Sequence, residues 1–257
     1  MPSVIINALN QHYTKMRKLV RGLWLTYIRK FGETTRPPGW WDKHLYKYGV
    51  SDKNTISPTK SVETSIYHYN SVENTLLRAI AQLHICVEGA SVFDIGCGSG
   101  HWLNFYRRLG ATRFVGCDVS KIAITHLESV NHVNKYDGLH CMEANDALNL
   151  DDTKFTIVNA IGVMFHIVDD TKWADTITSV YNKLEPHGVF MVGGHFGIVD
   201  NNVQFHNNTI DKRLRSKKHW INALQNAGFS KFLFLKNYSY LFYYDTLPES
   251  HILVAIK

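Results

Sequence analysis

The chain has 257 residues, of which 45% are hydrophobic and 19% charged, with a formal net charge of +6. A chain this long and this apolar buries a real core, which excludes global disorder. No apolar run approaches the roughly 20 residues that span a bilayer, and no signal peptide is expected from the order of the first residues.

The charge sits at the front. Residues 1–50 hold nine Lys/Arg against two acidic residues, so the rest of the chain is close to neutral. Leu9, Tyr13, Met16, Val20, Leu23, Tyr27 and Phe31 recur in steps of three and four, which predicts a long helix with one apolar stripe. Lys15, Arg17, Lys18, Arg21, Arg29 and Lys30 fall beside or opposite it, and the Pro37-Pro38-Gly39 cluster ends it. Such a helix caps the main domain; its basic face, with Trp24 and Tyr27, also suits a membrane surface or a protein partner.

Residues 33–70 read as loop-rich and aromatic, with Trp40, Trp41, Tyr46, Tyr48, Tyr67, His68 and Tyr69 forming a lid, a substrate wall or packing between cap and core. A helix is expected from Val72 to Ile85, capped by Asn70 or Ser71. The expected division is a basic helical cap over 1–70 and a main domain over 71–257.

From Ser91 onward strands and helices alternate. The strands are expected at Ser91–Ile95, Arg113–Cys117, Leu139–Glu143, Phe155–Ile161 and Val189–Gly193. The helices are expected at His101–Leu109, Lys121–His132 and Trp173–Leu184, then Lys217–Ala227 between an N-cap at Ser216 and a stop at Gly228. This alternation predicts an α/β fold, doubly wound around a mostly parallel sheet. Lys231–Tyr243 and His251–Ile256 have no helix between them, so they are expected to close a seven-stranded sheet as an antiparallel C-terminal hairpin. Four cysteines, Cys86, Cys97, Cys117 and Cys141, contain no CxxC pair, which suits a reducing compartment and a cytoplasmic location.

The strongest motif is Asp94-Ile95-Gly96-Cys97-Gly98-Ser99-Gly100, at the turn from a strand into a helix. Glycines there let the backbone turn tightly and approach a ligand. A dinucleotide site wants its third glycine five residues after the first; here Gly100 is the fourth and His101 the fifth. The run resembles the first motif of class I S-adenosylmethionine (SAM) dependent methyltransferases. Further matches follow in order: Val115 to Ser120 ending the next strand, Asn145-Asp146-Ala147, Phe155 to His166, and Leu184 to Val189. The resemblance covers about residues 75–257.

It implies SAM as cofactor. Gly96, Cys97, Gly98 and Gly100 would take its methionine end, and Asp94 would support that loop or reach the amino group. Asp118, with Val119 beside it, would accept hydrogen bonds from the ribose hydroxyls. Asp146 and Ala147 would meet the adenine, and Asn159 belongs to the fourth-strand motif. Structural packing is the ordinary alternative for Cys97 and Cys117.

A hydroxyl acceptor benefits from a general base. His166 and His195 follow the fourth and fifth strands, at the carboxyl edge where open α/β sheets bind ligands. Each is a base candidate, with substrate contact or structural hydrogen bonding as the alternative. Asp169 and Asp170 read as N-capping the next helix, and a metal site is not expected. Asn159-Ala160-Ile161-Gly162 departs from the NPPY-type motif of amino methyltransferases. The neutral body argues against a broad nucleic-acid footprint. The acceptor is therefore expected to be a hydroxyl on a small molecule or glycan, contacted by Tyr67, Tyr69, His206 and Arg215. The alternatives are N-methylation of RNA or protein docked by the basic arm, or a non-catalytic SAM-binding partner subunit.

Overall fold

The computed structural model describes residues 36–197, 202–206, 209–236 and 249–257. The basic helix expected ahead of Pro37 lies outside them. Three helices precede the sheet: α1 (Trp40–Tyr48), α2 (Asp52–Ile56) and α3 (Val62–Gln82). The segment read as loop-rich is thus largely helical. Helix α3 starts ten residues before Val72 because Ser61 caps it, its hydroxyl accepting from the Thr64 N–H at 3.2 Å. Ser65, Tyr69, Val72, Leu76 and Ala79 form its buried stripe. Residue 70, the expected domain boundary, falls inside this one helix.

The alternating part follows as β1 (Ser91–Ile95), α4 (His101–Arg108), β2 (Arg113–Asp118), α5 (Lys121–Ser129), α6 (Asn131–Asn134), β3 (Gly138–Cys141) and α7 (Ala144–Leu148). It continues as β4 (Phe155–Ile161), α8 (Asp170–Lys183) and β5 (Leu184–Phe196). The last elements are β6 (Asn202–His206), β7 (Thr209–Leu214), α9 (Lys217–Ala227), β8 (Lys231–Lys236) and β9 (Glu249–Ile256). The main sheet has the order β3-β2-β1-β4-β5-β9-β8. Its first five strands run parallel; β9 is antiparallel to β5 and to β8, so β8 runs in the direction of the first five. It is the doubly wound, Rossmann-like sheet with the expected C-terminal hairpin at its edge.

The stretch Val203 to Ser216, read as a polar loop, is a hairpin instead: β6 and β7 pair antiparallel as a separate two-stranded sheet. β-branched Val203, Thr209 and Ile210 on either side of Asn207-Asn208 supply the strand preference.

Alternate residues of each central strand feed two cores. Val92, Ile157, Ile161, Ile252 and Val254 pack with Leu76 of α3 and with Trp102, Leu103 and Tyr106 of α4. Phe93, Ile95, Val158, Phe190 and Leu253 pack with Trp173 and Ile177 of α8 and with Trp220 and Leu224 of α9. Burial on both faces is what a parallel sheet under two helical layers requires. No helix among the described residues is long and apolar enough to cross a membrane.

Candidate active site

The carboxyl ends of β1, β2, β4 and β5 open into a cavity of about 850 Å³. The loop after β1 forms one end of it. Gly96 and Cys97 both donate their N–H groups to the Cys117 carbonyl, at 2.8 and 3.0 Å, which pins the loop to the tip of β2. Gly96 has φ +68, and a Cβ there would stand 2.7 Å from Val163. Gly100 has φ +81 where α4 begins, and its Cβ would meet Leu127 at 2.8 Å and the Tyr136 hydroxyl at 2.9 Å. Glycine is required at both positions by conformation and by space.

Asp118 ends β2 and ties the two loops together. Its Oδ2 accepts from the Gly98 N–H at 3.0 Å and its Oδ1 from the Ser120 N–H at 2.8 Å. Burial raises its pKa against the backbone N–H groups that favour its charge. With the Val119 N–H also bonded to it, the carboxylate still has acceptor capacity for a further donor. Asp94 and Asn159 sit beneath the loop and are fully buried. Asn159 donates to Asp94 Oδ1 at 2.7 Å and accepts from the Tyr106 hydroxyl at 2.9 Å. Asp94 Oδ2 has no hydrogen-bond partner among the described residues, and burial pushes the carboxyl up to about 7.

The helices before the sheet close over this end by three carboxylates whose contacts sequence reasoning missed. Asp52 accepts from Ser99 Oγ at 2.6 Å and contacts His101 Nδ1 at 2.7 Å, while Glu73 holds His101 Nε2 at 2.8 Å. Asp42 accepts from Ser120 Oγ at 2.7 Å and from the Ile122 N–H at 3.2 Å, at the start of α5. Nothing in the local pattern of Asp42 or Asp52 signals partners this far along the chain. Thr55 lies close enough to Gly98 that a Cβ there would stand 3.2 Å from its methyl.

The other end of the cavity is aromatic and cationic. Trp40 and Trp41 meet edge to face at 4.9 Å, and the Trp41 ring centre stands 5.2 Å from His166. Phe165 packs on His195 at 4.9 Å. Arg36, Asp211 and Lys212 complete the wall. His166 Nδ1 faces the Asp211 carbonyl at 3.0 Å, so that nitrogen carries the proton and Nε2 is an acceptor. Burial, with Lys212 and Arg36 nearby, holds His166 down to about 3. Burial likewise keeps His195 well below the usual histidine range. Both imidazoles lie where the sequence places them, at the cavity. A neutral ring there accepts a hydrogen bond and orients its donor.

The other sequence-derived residues divide. Gly96, Cys97, Gly98, Asp118, Val119 and Tyr69 line the cavity. Burial raises the thiols of Cys97 and Cys117 far above their ordinary range, so both are packing groups. Asp146 and Ala147 do not line the cavity: Asp146 is exposed and Ala147 is buried in the core. Met142, Glu143, Ala144 and Asn145, just upstream, line it instead. Tyr67, two residues before Tyr69 in α3, points to solvent, as the helical period requires. Arg215 is a brace, not a substrate contact. It is buried, bonds Asp170 Oδ1 and the Ile167 carbonyl, and lies 4.3 Å over Trp173. His206 pairs with Thr209 through the β6–β7 register, and its side chain lies outside the described residues. Asp169 does cap α8, accepting from the Lys172 N–H at 2.9 Å.

Sheet order, glycine loop and acidic strand end together define a Rossmann-like methyltransferase fold. Residues 92–188 match the family described as "Methyltransferase domain". Residues 92–188 therefore carry a methyltransferase domain, in the fold of solved SAM-dependent methyltransferases. A solved SAM-dependent methyltransferase from Clostridium acetobutylicum superposes with a TM-score of 0.59 at 14% identity, over 84% of this chain and 98% of that one. A tRNA U34 carboxymethyltransferase of Pseudoalteromonas translucida is 34% identical over 84 residues, which are 31% of this chain and 25% of that protein. A carboxy-S-adenosyl-L-methionine synthase of Haemophilus ducreyi is 24% identical over 147 residues, 55% of this chain and 58% of that protein. The match thus spans a quarter of the first relative's length and over half of the second's.

These relatives correct one expectation. A small-molecule or glycan acceptor, with nucleic acid argued against, conflicts with relatives whose recurring name is that of a tRNA-modifying enzyme. The neutral body misled because charge averaged over a domain hides cations gathered in one cavity.

The residues fit the cofactor. The loop from Gly96 to Ser99 presents backbone to the cavity, and Asp118 has lone pairs left for ribose hydroxyls. Bound there, SAM supplies a sulfonium-activated methyl group open to in-line displacement. The protein's share is to position the nucleophile and exclude water, which the cap helices and the aromatic wall serve.

Proposed function

We propose that this protein transfers a methyl group from SAM to a base in RNA, held in the aromatic end of the cavity. The observation that carries this reading is the wall itself. Trp40, Trp41 and Phe165 offer ring faces and edges, with Arg36 and Lys212 among them. Bases splayed from single-stranded RNA are recognised by such stacking beside cations. The names of the relatives support the same substrate class. On this reading the Nε2 atoms of His166 and His195 orient the base by accepting from its N–H or O–H groups, and Tyr69 supports the cap over the glycine loop through its bond to Thr55 at 3.0 Å.

The test is incubation of the full chain with methyl-labelled SAM and total RNA, alongside protein and small-molecule panels. Label in the RNA fraction, released by ribonuclease, is the expected result. Label confined to protein or to small molecules overturns the reading.

A further inference from the structure

We infer that the cavity wall formed by Arg36 and Lys212 is an oxyanion site, built to take a phosphate or carboxylate group of the substrate. The RNA reading bears only on which molecule carries that group; the site itself stands on geometry.

The Arg36 side chain is 15% exposed, with its guanidinium 3.5 Å over the Trp40 ring and 4.9 Å from Trp41. One of its terminal nitrogens pairs with Asp211. Its Nε and its other terminal nitrogen are buried and have no hydrogen-bond partner among the described residues. A guanidinium presents its donors in a fixed fork suited to two oxygens of one anion. Here the fork is half used.

Lys212 adds a second cation. Its ammonium lies 5.1 Å from the Phe165 ring centre. Burial lowers its pKa, and the charges acting on it are Asp211, Arg36 and Lys60. The positive field of Lys212 also reaches His166 and His195. Two cations, Arg36 and Lys212, therefore face one described carboxylate, Asp211, in a desolvated corner. A surplus of buried positive charge is costly without a counter-ion. Nothing in the packing of the sheet needs it: Arg36 lies ahead of the first helix and Lys212 on the separate hairpin. An entering oxyanion would satisfy the free donors of Arg36 and neutralise Lys212.

The experiment uses the full chain with S-adenosylhomocysteine present, titrated with inorganic phosphate or with acetate and read by calorimetry and by the fluorescence of the tryptophans at the site. Saturable binding with a Kd of about 1 mM or tighter is expected for at least one anion. Lys212→Gln and Arg36→Gln should each weaken it about tenfold or more, with Lys212→Arg retaining most of it. Unchanged affinity for S-adenosylhomocysteine reports that the variants fold. Tighter phosphate assigns the site to a phosphate-bearing substrate, and tighter acetate to a carboxylate-bearing one; both support it. No saturable binding of either anion, or equal binding by wild type and Lys212→Gln, overturns it. Anion binding without methyl transfer to RNA would remove the RNA reading and leave the site standing. Transfer to RNA without anion binding would do the reverse.

Discussion

The two ends of the cavity are made by different means. The donor end is backbone. Gly96 to Ser99 and Asp118 to Ser120 are two short runs at the tips of adjacent parallel strands, locked by hydrogen bonds of 2.8 to 3.0 Å. The acceptor end is side chain. Arg36, Trp41, His166, His195 and Lys212 arrive from four separate stretches and meet only after the cap and the β6–β7 hairpin have packed on the sheet. An end made of backbone must keep particular residue types at particular spacings. An end made of side chains from distant segments can change its chemistry one residue at a time. Each prediction below breaks one end while leaving the other measurable.

The largest effect belongs to Asp94, under the donor loop. In the unfolded chain its carboxyl titrates near 3.8; in the fold burial holds it up to about 7. Between those values the folded state keeps a proton that the unfolded chain has released, so rising pH favours unfolding. The contribution is fully present below about pH 4 and is lost as pH rises through about 7. His166 works the other way: held down to about 3, it contributes stability above about 6.5 that is lost as pH falls. Asp94→Asn removes the first slope and keeps the shape. Its stability relative to wild type should rise between about pH 4 and about pH 7, by an upper bound of about 4 kcal/mol, in denaturant titrations at each pH. A difference that stays flat with pH would mean that Asp94 is ionised in the fold.

Next comes Asp118→Ala. It removes the acceptor for Gly98 and Ser120 N–H together with the lone pairs left for the ribose hydroxyls. Affinity for S-adenosylhomocysteine should fall about a hundredfold, or about 3 kcal/mol. Near-normal affinity by calorimetry would place the cofactor's sugar elsewhere. The RNA acceptor's apparent affinity, measured at saturating cofactor, should move little.

How much of each end is legible in the sequence follows from the same contrast. The run Asp94 to Gly100 and the acid at 118 are local and leave motifs; so do strands buried on both faces, such as Phe155–Ile161. Ser216 and Gly228 bound α9 as read, because a cap is a contact within a single turn. The start of α3 was missed since Ser61 lies ahead of a weakly apolar first turn, where Val62 and Ile66 are exposed. Arg215 looked like a polar loop residue and is a buried brace, because its partners Asp170 and Ile167 are 45 and 48 residues away. Asp42 and Asp52 have contacts at similar separations. No spacing rule reaches that far in a single sequence.

The smallest effect, and the sharpest test of the division, is Trp41→Ala. Trp41 lies in α1, the same helix that reaches the donor side through Asp42 and Ser120. Its ring faces the other way, edge to face with Trp40 and with His166. If the two ends are energetically separate, its removal costs base stacking alone, about 1 kcal/mol or somewhat more. The KM for RNA should rise about fivefold or more while the Kd for S-adenosylhomocysteine stays within about twofold of wild type. Equal losses in both would mean that the ring chiefly holds α1 down, so that the aromatic wall and the donor loops form one cooperative unit. Loss of donor affinity alone would assign Trp41 to the cofactor and remove the stacking platform from the acceptor end.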